Sequence, residues 1–209
     1  MLAPVTGKKV EYDIRTYKSY RTHQVEKTDT NTKAKIAAGS IVGTIIPMAL
    51  MAKSQKCKLY NIKYGVKEMI LVSAGSIAGG LASGILFDKK EHQKQKINES
   101  VFQFMNASVP PLLTSALYSF SKNVKYRIAS TIVGLFGGMQ IAAKLSNKIN
   151  DPQDKVPDRK LTFKDSIANI DDALGVLILA KVPIAEKLHV EKTLPAIYSW
   201  CGYRAGISN

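Results

Sequence analysis

Cysteine is scarce in this chain. Cys57 and Cys201 are the only two in 209 residues, and they are far apart. That excludes a disulfide framework and the closely paired cysteines of zinc motifs. His23, His92 and His189 stand apart from one another and from both cysteines, so no metal site follows. Phosphate-cradling loops are missing too. Gly39 to Thr44 has glycines but no Gly-Lys-Ser/Thr ending, and no Gly-x-Gly-x-x-Gly run occurs. Neither the zinc-protease helix motif nor a Gly-x-Ser-x-Gly elbow is found. Asp171 and Asp172 are adjacent carboxylates, and adjacent helix residues point apart. The expectation is a protein without catalytic residues or cofactor.

Charge is missing from four long stretches. Ile36–Ala52, Met69–Phe87, Val101–Ser121 and Ile128–Ala143 hold no Asp, Glu, Lys, Arg or His over 17, 19, 21 and 16 residues. A helix crosses the hydrocarbon of a bilayer with about 20 residues, within a range of about 17–25. The two shorter stretches are flanked by lysines or arginine that can snorkel to the interface. The mean hydropathy of −0.05 hides this segregation, because Lys-rich connectors offset the apolar runs. The fold class expected is all-α: a polytopic helical membrane protein of about four transmembrane helices, plus a C-terminal amphipathic helix. An ion-coupled carrier or proton relay places an ionisable group within its spans, and none is there.

The net charge is +14, from 30 basic and 16 acidic residues. The basic residues sit at the edges of apolar runs, as in Lys53, Lys56, Lys58, Lys89 and Lys90, without aromatic interleaving. That pattern favours the lipid bilayer and its anionic headgroups as partners and argues against nucleic acid. Basic residues in residues 1–35, 88–100 and 144–169 number 18, against 8 in 53–68 and 122–127, so the N-terminus is expected on the cytoplasmic side. Gly7 to Lys35 is polar, without the apolar run of a cleaved signal, so the first span is expected to insert uncleaved.

The organisation follows. Residues 1–35 form a polar basic tail, in which Val10, Tyr12 and Ile14 alternate with charges only briefly. Residues 36–145 form the transmembrane bundle, and 146–160 a linker carrying Pro152 and Pro157. Residues 161–209 form an amphipathic, interfacial or re-entrant region. There Phe163, Ile167, Ile170, Leu174, Leu177, Ile184 and Leu188 repeat at helical spacing. A fifth span over 170–190 would bury Asp171, Asp172, Lys181, Glu186 and Lys187 and is disfavoured. Tyr198, Trp200 and Tyr203 beside Arg204 suit headgroup depth.

Glycine is placed with regularity. Gly39 and Gly43, Gly75 and Gly79, Gly80 and Gly84, and Gly134 and Gly138 are pairs at four-residue spacing. In lipid, helices associate by close backbone contact at such small-residue faces. Ala38-Gly-Ser-Ile-Val-Gly43 matches Ala74-Gly-Ser-Ile-Ala-Gly79 at five of six positions, through duplication or through a shared packing demand. The third run lacks glycine and carries Pro110-Pro111 at its centre, with Asn106, Ser108, Thr114 and Ser115 nearby. Proline removes backbone donors there, and the polar side chains either satisfy the freed carbonyls or line a polar path. Two functions are therefore in view. One is a structural or interaction component, self-associating as a homo-oligomer or bound to another membrane protein. The alternative is a passive channel or small-solute transporter centred on the Pro110-Pro111 kink.

Overall fold

The computed structural model describes residues 28–120, 124–155, 157–159 and 190–209. All regular structure among the described residues is helical, with no strand. Among the described residues five α-helices make up the bundle: α1 (Thr30–Ser54), α2 (Val66–Phe87), α3 (Gln93–Ser119), α4 (Val124–Asn150) and α5 (Leu194–Ile207).

Local chemistry sets the helix ends. The Asp29 carboxylate caps α1 by accepting from the amides of Asn31 and Thr32 at 2.9 and 3.0 Å. At the other end the Cys57 amide reaches back to the Ala52 carbonyl at 3.0 Å across Lys56, which takes the left-handed conformation (φ 50°). This is the closing bond of a Schellman-type C-cap. The Gln55 side-chain amide then clamps the connector, accepting from the Lys63 N–H at 2.9 Å and donating to the Lys63 carbonyl at 3.0 Å. Glu68 accepts from the Gly65 amide at 3.0 Å to start α2. Pro195 in the first turn of α5 occupies a position where no intrahelical N–H is needed.

Helix α2 is central. It packs on α1, α3 and α5, while α5 lies in the groove among α1, α2 and α3, and α4 packs on α3. The start of α1, the end of α2, the start of α3 and the end of α5 meet at one end, the tail end, where Thr28, Asp88 and Asn209 are hydrogen-bonded. Residues 55–65 and the 3₁₀ turn Val190–Thr193 meet at the other, the loop end, where Leu59 and Glu191 line one groove. Arg159 bonds to Glu99 at the tail end. The chain therefore enters α5 from the end opposite to the one at which α4 leaves off.

Two described helices, α1 and α2, are long and apolar enough to cross a membrane. Helices α3 and α4, at 27 residues each, match them in length but carry charged residues in their terminal turns. Several boundaries differ from expectation. Helix α1 begins at Thr30, inside the expected tail, because Asp29 is available as a cap. Helix α3 begins at Gln93 rather than near Val101, because Lys96 and Glu99 find partners and so do not end the helix. Helix α4 runs through to Asn150, into the expected linker.

Residues 194–207, within the stretch expected to be interfacial or re-entrant, form a helix packed inside the bundle, with Leu194, Cys201 and Ala205 at most 2 % exposed. Tyr198 is buried beside Met48, Met69 and Val72, while Trp200 faces outward. At 14 residues, about 21 Å by helical rise, α5 is shorter than a bilayer core. The amphipathic stripe from Phe163 to Leu188 lies outside the described residues.

Candidate functional site: glycine seams and an ionic end

Three seams hold the bundle, each built on residues with no side chain or a short one. Where α1 crosses α2, a Cβ on Gly43 would collide with the Gly75 carbonyl, and one on Gly79 with the Gly39 carbonyl. Where α2 crosses α5, a Cβ on Gly84 would lie 2.5 Å from the Gly206 carbonyl oxygen, and one on Gly80 would meet the Gly202 carbonyl. Where α4 crosses α3, Gly138 faces Pro110 and Gly134 faces Thr114, again with room for no Cβ. Successive residues turn by about 100° around a helix, so Gly75 and Gly79 point to one neighbour of α2 while Gly80 and Gly84 point to another. Gly137 is different: an added Cβ would meet only Leu113 Cδ2 at 3.8 Å.

Hydroxyls knit the α1–α2–α5 crossing. Ser40 donates to the Ser199 carbonyl at 2.5 Å, and Ser76 donates to the Tyr198 carbonyl. The Thr44 proton goes to the Ser40 carbonyl at 2.9 Å, which leaves Ser199 to donate to Thr44 Oγ1 at 2.9 Å. Pro47 adds a local reason for the close approach. It has no N–H for the carbonyl one turn earlier, that of Gly43, and this carbonyl sits against Gly75.

Asn106, Ser108, Pro110, Pro111 and Thr114 are buried, while Ser115 is exposed. The α4 glycines occupy the space beside Pro110 and Thr114. Ser108 Oγ and Thr114 Oγ1 are buried without a hydrogen-bond partner among the described residues. Ser76 and Ser83 belong to other seams, Ser76 bonding α5 and Ser83 abutting Gly39.

At the tail end lies a buried ionic network. Lys96 has no exposed surface; its Nζ contacts Asp88 Oδ2 at 2.7 Å and donates to the Ser208 carbonyl and Asn209 Oδ1 at 3.0 Å each. Thr28 donates to Asp88 at 3.2 Å and accepts from Asn209 Nδ2 at 2.9 Å, closing a ring. One turn along α3, Glu99 accepts from Gln103 at 2.6 Å and from Arg159 at 2.9 Å, with Arg204 at 3.7 Å. The Arg159 guanidinium also stacks over the Phe102 ring, 3.4 Å from its centroid. Burial pushes the Glu99 carboxyl up, and the Arg159 and Arg204 charges outweigh it and hold it below the usual carboxylate range. Asp88 is likewise lowered, its burial offset by Lys96. These groups are locked as ions by fixed partners, which suits a structural tie and not acid–base chemistry. Among the described residues no cluster of three or more His, Cys, Asp or Glu could hold a metal.

Gly202 and Gly206 were recognisable by the same four-residue spacing as the others, but they fall in a stretch read as interfacial. Pro47 and the Lys96–Glu99 helical turn carried weaker signals: a proline inside an apolar run, and two charges one turn apart just outside one.

Two outcomes follow from this geometry. Gly80→Ala should lower stability in detergent by about 1–3 kcal/mol, because the opposing atoms are backbone and cannot move aside. Gly137→Ala, where space exists, should be neutral or stabilising by up to about 1 kcal/mol; thermal unfolding of the two variants checks the contrast. Asp88 and Glu99 have folded-state pKa values below their ordinary 3.8 and 4.5, so their contribution is full above pH 4.5 and fades as pH falls through the lower folded values. Unfolding temperature measured from pH 7 to pH 3 should drop on the acid side, and Glu99→Gln should flatten that drop. No protein-family model matches the chain, and neither the curated proteins nor the solved structures contain a match to it.

Proposed function

We propose that this chain is a multi-pass integral membrane protein in which α1 to α4 are spans and α5 enters the bundle from the loop end, with its N-terminus on the cytoplasmic side, and that it works as a structural or interaction component without catalysis. One observation carries the reading: the bundle exposes large aliphatic side chains along its helices while its helix crossings bury small and hydroxyl-bearing ones. Ile41, Val42, Ile46, Leu50, Leu86, Ile132 and Val133 are each 48–73 % exposed. Ser40, Thr44, Ser73, Ser76, Asn106, Ser108 and Thr114 are buried at most 5 % exposed at the helix contacts. Water would penalise that outer surface, whereas lipid accepts it, and in lipid the small and hydroxyl residues supply the helix contacts. The glycine faces are occupied within the chain. A second copy or another membrane protein would therefore meet the outer aliphatic side chains rather than the glycines.

A passive path along α3 remains the alternative, supported by the buried, unpartnered Ser108 and Thr114 hydroxyls. Gly134 and Gly138 pack closely against Thr114 and Pro110, which weighs against such a path. Purified protein should resist alkaline carbonate extraction and leave reconstituted liposomes tight to ions and small metabolites. Solute flux that Asn106→Leu alters would overturn the structural reading in favour of the path. Release by carbonate would overturn the membrane assignment itself.

A further inference from the structure

The loop end carries a groove that the described residues leave open. Met48, Leu59, Tyr60, Ile62, Tyr64 and Pro195 wall a space of about 250 Å³ that is mostly apolar, and Glu191 and Lys192 stand at its edge. The connector that forms its floor is held by the Gln55 clamp on Lys63, by the Lys56 turn and by the Glu68 bond to Gly65. The groove is therefore built before any ligand arrives. Leu59 and Tyr60 are 42 % and 62 % exposed, side chains that water alone would not favour.

The lining itself carries one charge of each sign, Glu191 and Lys192, but the adjoining connector is strongly basic. Residues 53–68 hold Lys53, Lys56, Lys58, Lys63 and Lys67 against Glu68 alone, and Glu68 is committed to capping α2. Lys58 Nζ lies 5.9 Å from the centre of the Tyr60 ring, and Lys192 lines the opposite edge against one carboxylate, Glu191. A second, independent feature is the Tyr64 phenol. It forms part of the wall, and its oxygen is buried without a hydrogen-bond partner among the described residues. A buried hydroxyl left unpaired is costly, so the phenol is a donor that a ligand oxygen can satisfy.

We propose that this groove binds one anionic phospholipid, its acyl chain along Leu59, Ile62 and Pro195 and its phosphate near Lys58 and Lys192, with Tyr64 donating to a headgroup or ester oxygen. The inference rests on the membrane reading above, since the loop end then lies at headgroup depth, where an acyl chain and a phosphate are presented together. Burial pushes the Tyr64 hydroxyl up to about 12, with Cys57 adding to the shift, so the phenol remains a donor at neutral pH.

The test uses the full chain in phosphatidylcholine nanodiscs doped with a phospholipid carrying a photoreactive acyl chain, as either its phosphatidylglycerol or its phosphatidylcholine form. Adducts should concentrate on peptides holding Leu59, Ile62 and Pro195, about tenfold more with the anionic probe. Lys58→Glu combined with Lys192→Glu should remove that preference. Tyr64→Phe should reduce labelling several-fold while leaving stability in lipid-free detergent unchanged or raised, because the free protein only loses an unpaired hydroxyl. Equal labelling by both probes, or adducts spread evenly over Ile41, Val42 and Ile45, would overturn the site. Should the protein fail to insert, the membrane reading falls and the groove is probed in solution with a short-chain, water-soluble anionic photoprobe. Labelling of the same peptides then sustains the groove, and none overturns it.

Discussion

Backbone-to-backbone contact at glycine is the constraint on which the rest of the structure depends. Helix α2 has to touch α1 on one face and α5 on another, and both contacts are too close for a single carbon atom beyond Cα. Only because Gly75 and Gly79 point about 100° away from Gly80 and Gly84 can one helix serve two such neighbours. The short separation brings the Ser40, Ser76 and Ser199 hydroxyls within reach of carbonyls on adjacent helices. Widening either seam by a methyl group would strain or break those bonds as well as the van der Waals contact.

The tail-end ions work by a different principle. Lys96, Asp88 and Glu99 come from the α2–α3 corner, and their partners come from the chain just before α1, from the segment after α4 and from the end of α5. Segments distant in sequence are thus tied at one point. An ion pair out of water is worth little against an apolar replacement, but removing one partner leaves the other stranded. The network therefore specifies which segments meet more than it adds stability. Apolar contact supplies the counterpart at the loop end, where Met48, Met69, Leu194 and Tyr198 pack together.

Much of the packing grammar was legible in the sequence and its addresses were not. Four-residue glycine spacing marks a face for close approach, but spacing does not say which helix arrives there. Gly80 and Gly84 meet Gly202 and Gly206, in a segment whose Tyr198, Trp200 and Tyr203 suggested the interface. Aromatic composition does not give the phase of the helix, in which Tyr198 points inward while Trp200 points outward. Charge misled at α3, since a run counted as ended by Lys96 and Glu99 continues through them once Asp88 and Arg159 are in place. The Pro110-Pro111 neighbourhood is marked in the sequence by its lost donors. What sequence could not supply was that Gly134 and Gly138 of α4 fit against it.

The central claim, a bundle sealed inside by glycine and hydroxyl contacts and clad outside in aliphatic side chains, concerns which face of each helix meets which surroundings. Nitroxide labels placed singly at residues 40 to 46 of α1 in bilayers report this through collision with oxygen, which partitions into lipid, and with a water-soluble nickel complex. Oxygen accessibility should oscillate with helical period, high at Ile41, Val42, Ile45 and Ile46 and low at Ser40, Gly43 and Thr44, with nickel low throughout. A flat profile, or high nickel access at Val42 and Ile46, would contradict the account.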